Sequence, residues 1–154
     1  WKAREFGLNT KFIELAGEVN GNMPAWVVGK ITNSLNEHNK SVKSSSILVL
    51  GLSYKKNVND ARESPSIEII KLLDNLGAEV AYSDPFIPSF PKMAQYDFDL
   101  ENQCLTADLL MKFDCVVLAT DHDQFDYDLI ISHSKILIDT RGKFPRGERG
   151  VVSA

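Results

Sequence analysis

The alternation of short strand-like segments with helical stripes constrains the fold of this chain more than any other feature of its sequence. The predicted strands cover residues 47–50, 79–83, 115–119 and 136–138, and the predicted helices between them cover 65–76, 107–112 and 127–132. Most of these strands are continuous apolar runs, which are typical of parallel strands buried on both faces. Parallel strands need crossover helices, and such crossovers are right-handed. The pattern therefore predicts an α/β fold, a Rossmann-like parallel sheet with helices on both faces.

Two helices are expected in front of this sheet. Apolar residues at helical spacing predict a helix over 9–20, Gly21 interrupts the stripe, and Pro24 suits the first turn of a second helix over 24–38. The polar, serine-rich segment 39–46 is the best candidate for a linker.

Composition excludes some functions. The 154 residues carry a formal net charge of −4 and a pI of about 5.4, which argues against nonspecific binding of nucleic acid. The sequence has no apolar run of the roughly 20 residues that span a bilayer and no visible secretory signal, so we expect a cytoplasmic protein that does not enter a membrane. Cys104, Cys115 and the three histidines lack metal-ligand spacing, so no metal site is predicted. Cys115 lies in an apolar run and is expected to be a buried hydrophobic residue.

The segment from Gly51 to Pro65 lies where a dinucleotide-binding fold has its phosphate loop, beyond the carboxyl end of the first strand. It lacks the G-x-G-x-x-G pattern, so conventional dinucleotide binding is not predicted. Instead it offers Lys55, Lys56 and Arg62, followed by a Ser64-Pro65 helix start that favours anions. The alternative is a solvated loop with incidental charge, in which Asp60 pairs with Arg62 or Lys56.

The segment Leu50-Gly-Leu-Ser-Tyr-Lys-Lys-Asn-Val-Asn-Asp-Ala-Arg-Glu-Ser-Pro65 resembles the NAD-dependent nucleotide-sugar 6-dehydrogenases. Tyr82-Ser-Asp-Pro85, Ile138-Asp-Thr-Arg141 and the segment after Met23-Pro24 extend the resemblance in the same order along the chain. The opening Trp-Lys-Ala-Arg-Glu-Phe-Gly and Phe90-Pro-Lys92 are most similar to the branch that acts on UDP-N-acetylglucosamine.

The resemblance implies roles for four residues. Tyr54, Lys55 and Arg141 match residues that contact the UDP-sugar, and Arg62 matches an arginine that reaches toward the NAD phosphates. Enzymes of this family use NAD to oxidise the C6 alcohol of the sugar to a carboxylate. Their nucleophilic cysteine lies before the segment of the family sequence that corresponds to Trp1. No catalytic residue is therefore expected in this chain, and Cys104 and Cys115 do not inherit that role.

The resemblance also implies an organisation. Residues 1–38 would be the end of a central helical domain and its connecting helix, 39–46 a linker, and 47–154 a C-terminal UDP-binding domain. Because the chain starts at Trp1 rather than at Met, we expect a piece of a longer polypeptide that is inactive by itself. Its partners would be a UDP-sugar, its own N-terminal NAD domain, and a second copy bound through the central helices.

Two other functions remain open from the sequence. The chain could be a stand-alone nucleotide-binding or regulatory module without catalysis, or an oligomerisation piece built on the helices of 9–38. Asp84 could hold a ribose, but an Asp-Pro turn is the simpler interpretation. His122 is expected to be structural.

Overall fold

A computed structural model of the protein describes residues 11–91 and 98–154, which form one parallel sheet with helices packed against it. The helices are α1 (Lys11–Glu37), α2 (Pro65–Asn75), α3 (Ala107–Lys112) and α4 (Tyr127–His133). The strands are β1 (Ser46–Leu50), β2 (Glu79–Ser83), β3 (Cys115–Leu118), β4 (Leu137–Asp139) and β5 (Val151–Ser153). The strand order is β2-β1-β3-β4-β5, and every neighbouring pair is parallel.

The side chains of each strand alternate between two cores, because successive residues of a strand point to opposite faces of the sheet. On one face, Ile47, Val117 and Ile138 pack with the second half of α1 and with α2. On the other face, Leu48 and Val116 pack with α3 and α4. The predicted Rossmann-like sheet with helices on both faces is therefore confirmed.

The N-terminal region differs from its prediction, because one continuous helix replaces the two that were expected. Helix α1 runs through Gly21 and contains Pro24 in its interior. A proline in a helix removes one hydrogen bond, here the one to the Asn20 carbonyl, and so weakens a helix without necessarily ending it. Pro24 itself is buried, and Val27, Ile31 and Leu35 pack against the sheet domain, so tertiary contacts compensate for the lost bond.

The first half of α1 is exposed on all sides. Phe12 is 83% exposed and Ile13 is 68% exposed, and every residue from Lys11 to Met23 is solvent-exposed. Among the residues that the structure describes, no helix is both long and apolar enough to cross a bilayer.

The serine-rich segment 39–46 lies against the domain through several contacts. Val42 is buried, the Ser44 N–H donates to the Gly77 carbonyl at 2.7 Å, and Lys40 pairs with Asp114. Strand β5 was not predicted, because two half-buried residues and one exposed residue at the sheet edge carry too weak a pattern. The division into domains at 38 and 46 stays a prediction.

Candidate nucleotide site

The β1–α2 loop, residues 51–64, begins and ends with tightly constrained backbone. Gly51 has φ +86° and approaches Thr120 so closely that an added Cβ would lie 2.5 Å from the Thr120 carbonyl oxygen. At the other end, Ser64 caps α2 by accepting a hydrogen bond from Ser66 N–H, and Pro65 follows in the first turn. The predicted Ser64-Pro65 helix start is therefore confirmed. Both ends of the loop are fixed in position, one by Thr120 and the other by the cap of α2.

Asp84, at the end of β2, holds the start of this loop. Its carboxylate is 1% exposed and accepts hydrogen bonds from Leu52 N, Ser53 N, Ser53 Oγ, His122 Nε2, Phe86 N and Ile87 N. Burial alone would raise the pKa of this carboxyl, but the hydrogen bonds lower the pKa to about 2. The bonds from Phe86 and Ile87 form the turn expected after Asp84. Its side chain is therefore committed to structure and does not face a ribose.

His122, in the loop after β3, joins the middle of the β1–α2 loop to Asp84. Its ring is completely buried, with Nε2 3.0 Å from Asp84 Oδ2 and Nδ1 2.9 Å from the backbone N of Asn57. The Asn57 side chain exchanges two further hydrogen bonds with Asp123, one to its carboxylate and one from its backbone N–H. The expectation that His122 is structural holds, and the structure adds which segments it connects.

A cavity of about 620 Å³ opens beside this loop. The middle of α1 forms one wall, the β1–α2 loop and the start of α2 form a second, and the ends of β3 and β4 form a third. The residues that line it are Asn20, Gly21, Met23, Pro24, Val27, Tyr54, Lys55, Glu63, Pro65, Ser66, Ile69, Ala119, Thr140 and Arg141. The cavity therefore lies at the carboxyl edge of the parallel sheet, where ligands of such folds bind.

Tyr54, Lys55 and Arg141, which the sequence selected for the UDP-sugar, all line this cavity. Tyr54 is 49% exposed, and the Lys55 Nζ lies 5.8 Å from the centroid of its ring. Within the described ranges, Lys55 has no carboxylate partner, in contrast to its neighbour Lys56. An exposed ring beside an unpaired cation is an arrangement that can receive a nucleotide phosphate.

Arg141 is held in place from two directions. Its backbone N–H donates to Asp139 Oδ1 at 2.9 Å, which shapes the turn after β4. Its Nε donates to the Ala119 carbonyl at 2.6 Å, and Nη2 lies 3.4 Å from Thr120 Oγ1. The two guanidinium contacts use neutral acceptors, so they do not neutralise its charge.

The other two cations of the loop are paired. Lys56 Nζ lies 2.6 Å from Asp123 Oδ1, so its charge is paired at the surface of the loop. Arg62 forms a two-point pair with Asp60, which confirms the simpler interpretation of Asp60, and the hydrogen bonds from Arg62 lower the pKa of Asp60 to about 2. Arg62 lines a second cavity, of about 600 Å³, together with Tyr54 and Lys55.

The wall contributed by α1 and the position of Ser66 could not be foreseen from the sequence. Ser66 is 1% exposed, lies next to the cavity, and its Oγ has no hydrogen-bond partner among the described residues. Residues 20–27 have the composition of an ordinary helix, so only tertiary packing brings them to the β1–α2 loop.

The two cysteines differ in environment. Cys115 is buried in β3 as expected, and burial raises the pKa of its thiol to about 12, so it is a poor nucleophile. Cys104 is exposed and lines a separate, smaller cavity beside Asn102 and Gln103.

Comparison with known proteins identifies the relatives of this fold and site. A UDP-N-acetyl-D-mannosamine dehydrogenase of Methanococcus maripaludis is 36% identical over 149 residues, which are 92% of this chain and 32% of that protein. An NDP-N-acetyl-D-galactosaminuronic acid dehydrogenase of Ralstonia nicotianae is 34% identical over 140 residues, covering 87% and 30%. The solved structure of the Pyrococcus horikoshii UDP-D-ManNAc dehydrogenase superposes with a TM-score of 0.74 at 25% identity, over 95% of this chain and 33% of that one.

The chain thus spans about a third of the length of the curated relatives it matches. The sequence pattern described as "UDP-glucose/GDP-mannose dehydrogenase family, UDP binding domain" matches residues 48–146, which include the β1–α2 loop and Arg141. The chain therefore belongs to the UDP-glucose/GDP-mannose dehydrogenase family and contains its UDP-binding domain.

Proposed function

We propose that this chain is the UDP-sugar-binding portion of an NAD-dependent nucleotide-sugar 6-dehydrogenase, with the nucleotide in the cavity beside the β1–α2 loop. The observation that carries the proposal is the meeting of Lys55 and Arg141, from separate segments, on one cavity with the exposed ring of Tyr54. Neither cation is neutralised by a carboxylate within the described part of the chain. Two such cations match the charge of a diphosphate.

The roles follow from the chemistry of the side chains. Lys55 is a mobile point charge that can follow a phosphate group, whereas Arg141 presents a planar donor fork already oriented by the Ala119 carbonyl. Tyr54 offers a flat apolar face for a base or sugar ring. Charge-assisted hydrogen bonds of this kind contribute about 1.5–3 kcal/mol each when well formed.

The NAD molecule would be bound mainly outside this chain. Arg62 is the residue here that we assign to its phosphates, since its side chain is 86% exposed on the outer side of the loop and lines the second cavity. Its present pairing with Asp60 would then be exchanged for a phosphate contact. When bound, NAD supplies the hydride acceptor for oxidation of the sugar C6 alcohol, and the nucleophilic cysteine would also lie elsewhere in the complete enzyme.

The sugar is best proposed as a UDP-N-acetylhexosamine. The resemblance in the sequence favoured UDP-N-acetylglucosamine, whereas the similar relatives bear the names of N-acetylmannosamine and N-acetylgalactosaminuronic acid dehydrogenases. A comparison of UDP-N-acetylglucosamine with UDP-N-acetylmannosamine in the complete enzyme would decide between them. The exposed first half of α1 suits packing against the remaining domains or a second copy.

Calorimetric titration of the chain with UDP and with uridine tests the proposal. We expect UDP to bind more tightly than uridine, because only UDP carries the phosphates that Lys55 and Arg141 would meet. Equal affinities, or no UDP binding at millimolar concentration, would contradict it.

Incubation of this chain with NAD and a UDP-sugar should give no NADH, and the gene sequence upstream of Trp1 should encode a G-x-G-x-x-G motif and a Gly-rich cysteine motif. Their absence there would favour the stand-alone module.

A further inference from the structure

The His122 ring connects the centre of the β1–α2 loop to the buried Asp84 carboxylate. Nδ1 faces the backbone N of Asn57 at 2.9 Å, and Nε2 faces Asp84 Oδ2 at 3.0 Å. Asn57 follows Lys55 by two residues, and its backbone has φ +59°, in the left-handed region that asparagine adopts more readily than most residues. The ring therefore supports the segment that presents Lys55 to the cavity.

These contacts define the proton positions on the ring. A backbone N–H can only donate, so His122 Nδ1 must accept with its lone pair. The Asp84 carboxylate is ionised and can only accept, so Nε2 must carry the proton. Both contacts are made together only by the neutral ring with its hydrogen on Nε2.

Adding a proton to Nδ1 would place two N–H groups against each other at 2.9 Å. The hydrogen bond from the Asn57 backbone would be lost, and the backbone there would have to move away from the ring, while the Asn57 side chain keeps its two bonds to Asp123. The Asp84 contact would be kept, since Nε2–H is present in both forms. Protonation of the ring therefore breaks its contact with the loop and preserves its contact with Asp84.

Several titratable groups surround the ring. The Asp84 pKa is about 2, hydrogen bonds from Lys56 lower the pKa of Asp123, and the bond to Asp123 raises the pKa of Lys56. Burial raises the pKa of Tyr127, whose hydroxyl donates to the His122 carbonyl, to about 12. Asp121 also acts electrostatically on Lys56 and Tyr127, Lys143 acts on Asp123, and the ring itself contacts the apolar rings of Phe86 and Phe125. Histidine is the side chain whose charge changes between about pH 5 and 8.

We propose that His122 is a positioning residue that holds the β1–α2 loop in its ligand-binding shape only while its ring is neutral, so that nucleotide-sugar binding is lost on acidification. The proposal rests on the proposed function for its ligand, a UDP-sugar. Lys55 and Tyr54 would lose their alignment with Arg141 when the Asn57 contact breaks.

The test is the affinity of the chain for UDP-N-acetylglucosamine between pH 8 and 5, measured by calorimetry. This probe is a pyrophosphate diester, so it lacks the terminal phosphate proton of UDP that titrates near pH 6. We expect the wild-type affinity to fall by about tenfold or more, the effect of about 1.4 kcal/mol. His122→Asn places a non-titrating amide oxygen near the position of Nδ1, and should bind with little pH dependence. His122→Gln retains a donor for Asp84 but no acceptor for Asn57, and should bind weakly at every pH.

His133→Asn is the matched control, because His133 lies on α4 with Nδ1 2.9 Å from the Leu129 carbonyl, away from the loop. It should retain the wild-type pH profile. Equal acid loss in wild type and His122→Asn would overturn the proposal, as would a wild-type profile that stays flat.

A second measurement does not depend on the ligand. The ¹⁵N spectrum of the ring should show an unprotonated Nδ1 at pH 7.5, and the protection factor of the Asn57 amide should fall at pH 5.5 in wild type but not in His122→Asn. A proton on Nδ1 at pH 7.5, or unchanged protection, would overturn the positioning role. If the chain binds no UDP-sugar at any pH, the proposed function fails by itself, and these spectra still decide the role of His122.

Discussion

Asp84 Oδ2 accepts hydrogen bonds from both the backbone N–H and the hydroxyl of Ser53, at 2.9 and 2.8 Å. The two residues follow neighbouring parallel strands, β2 and β1, and meet because those strands end at the same edge of the sheet. In a dinucleotide-binding loop, glycines and a phosphate occupy this position. In this chain a buried carboxylate occupies it. The backbone N–H groups at the start of the β1–α2 loop are thus already bonded to Asp84, whereas Tyr54 and Lys55 farther along the loop line the cavity.

This arrangement predicts a loss of stability in acid. The pKa of Asp84 is about 2 in the folded state, below its value of 3.8 in the unfolded chain, so its contribution is complete above about pH 4 and is lost as pH falls toward 2. A shift of this size corresponds to about 2 kcal/mol. Urea unfolding of wild type and Asp84→Asn should show a difference at pH 7 that shrinks between about pH 4 and 2. A constant difference across that range would contradict the assignment.

The approach of Gly51 to Thr120 predicts a large steric effect. Gly51→Ala would place a Cβ 2.5 Å from the Thr120 carbonyl oxygen and force φ +86° on an alanine, so we expect destabilisation of several kcal/mol. Gly142 also has a positive φ, +66°, but nothing lies within 4 Å of its added Cβ. Gly142→Ala should therefore cost only about 1 kcal/mol, the conformational part. Thermal denaturation measures both, and similar losses would exclude the clash.

Replacement of the cavity cations should weaken UDP binding selectively. Lys55→Ala and Arg141→Ala each remove a charge-assisted contact, and each should reduce the affinity by about tenfold or more, since 1.4 kcal/mol corresponds to a factor of ten. Lys56→Ala is the matched control, because Lys56 pairs with Asp123 outside the cavity, and it should change the affinity much less. Calorimetry at fixed ionic strength checks this. An equal loss of affinity in all three variants would indicate nonspecific electrostatic attraction of UDP and no defined site.

Replacement of Ser66 should increase stability, in contrast to the replacements of Asp84 and Gly51. Its Oγ is buried without a partner in the described structure, and burial of an unsatisfied hydroxyl is unfavourable. Ser66→Ala should raise the free energy of unfolding by about 1 kcal/mol, with help from the higher helix propensity of alanine. Ser64→Ala should lower it by about 1 kcal/mol, because Ser64 is the cap of α2. Chemical denaturation of the two variants measures the contrast, and a destabilised Ser66→Ala would mean that its hydroxyl has a partner after all.

Helix α1 should exchange its amide hydrogens unevenly. The half up to Asn22 is exposed on all sides, whereas Val27, Ile31 and Leu35 are buried against the sheet domain. Amides of the first half should therefore have much lower protection factors than those of 27–37 in a monomer. Exchange mass spectrometry at several protein concentrations separates fraying from self-association. Equal protection in a proven monomer would contradict the prediction.

The sequence largely predicted which residues form strands and which form helices. The runs at 47–50 and 115–118 are buried strands because they have no polar face, and Ser64 and Thr106 begin helices because their side chains accept from free N–H groups. The break predicted at Gly21 did not occur, because local preference at Gly21 and Pro24 is weaker than the packing of the following apolar stripe. Strand β5 was missed because it depends on pairing with β4 and has little pattern of its own.

The sequence by itself determined most of the parallel sheet and the Ser64-Pro65 start of α2, because these depend on local periodicity and capping. The family resemblance also selected Tyr54, Lys55 and Arg141 as candidates for ligand contact, and these three residues line one cavity. Only the tertiary structure decided that Lys56 and Arg62 are paired while Lys55 faces a cavity, since adjacent lysines are indistinguishable until a partner such as Asp123 comes close. It also decided that Asp84 and His122, 38 positions apart, share one buried hydrogen bond. Burial and charge pairing are properties of segments brought together by folding, and no local pattern specifies them.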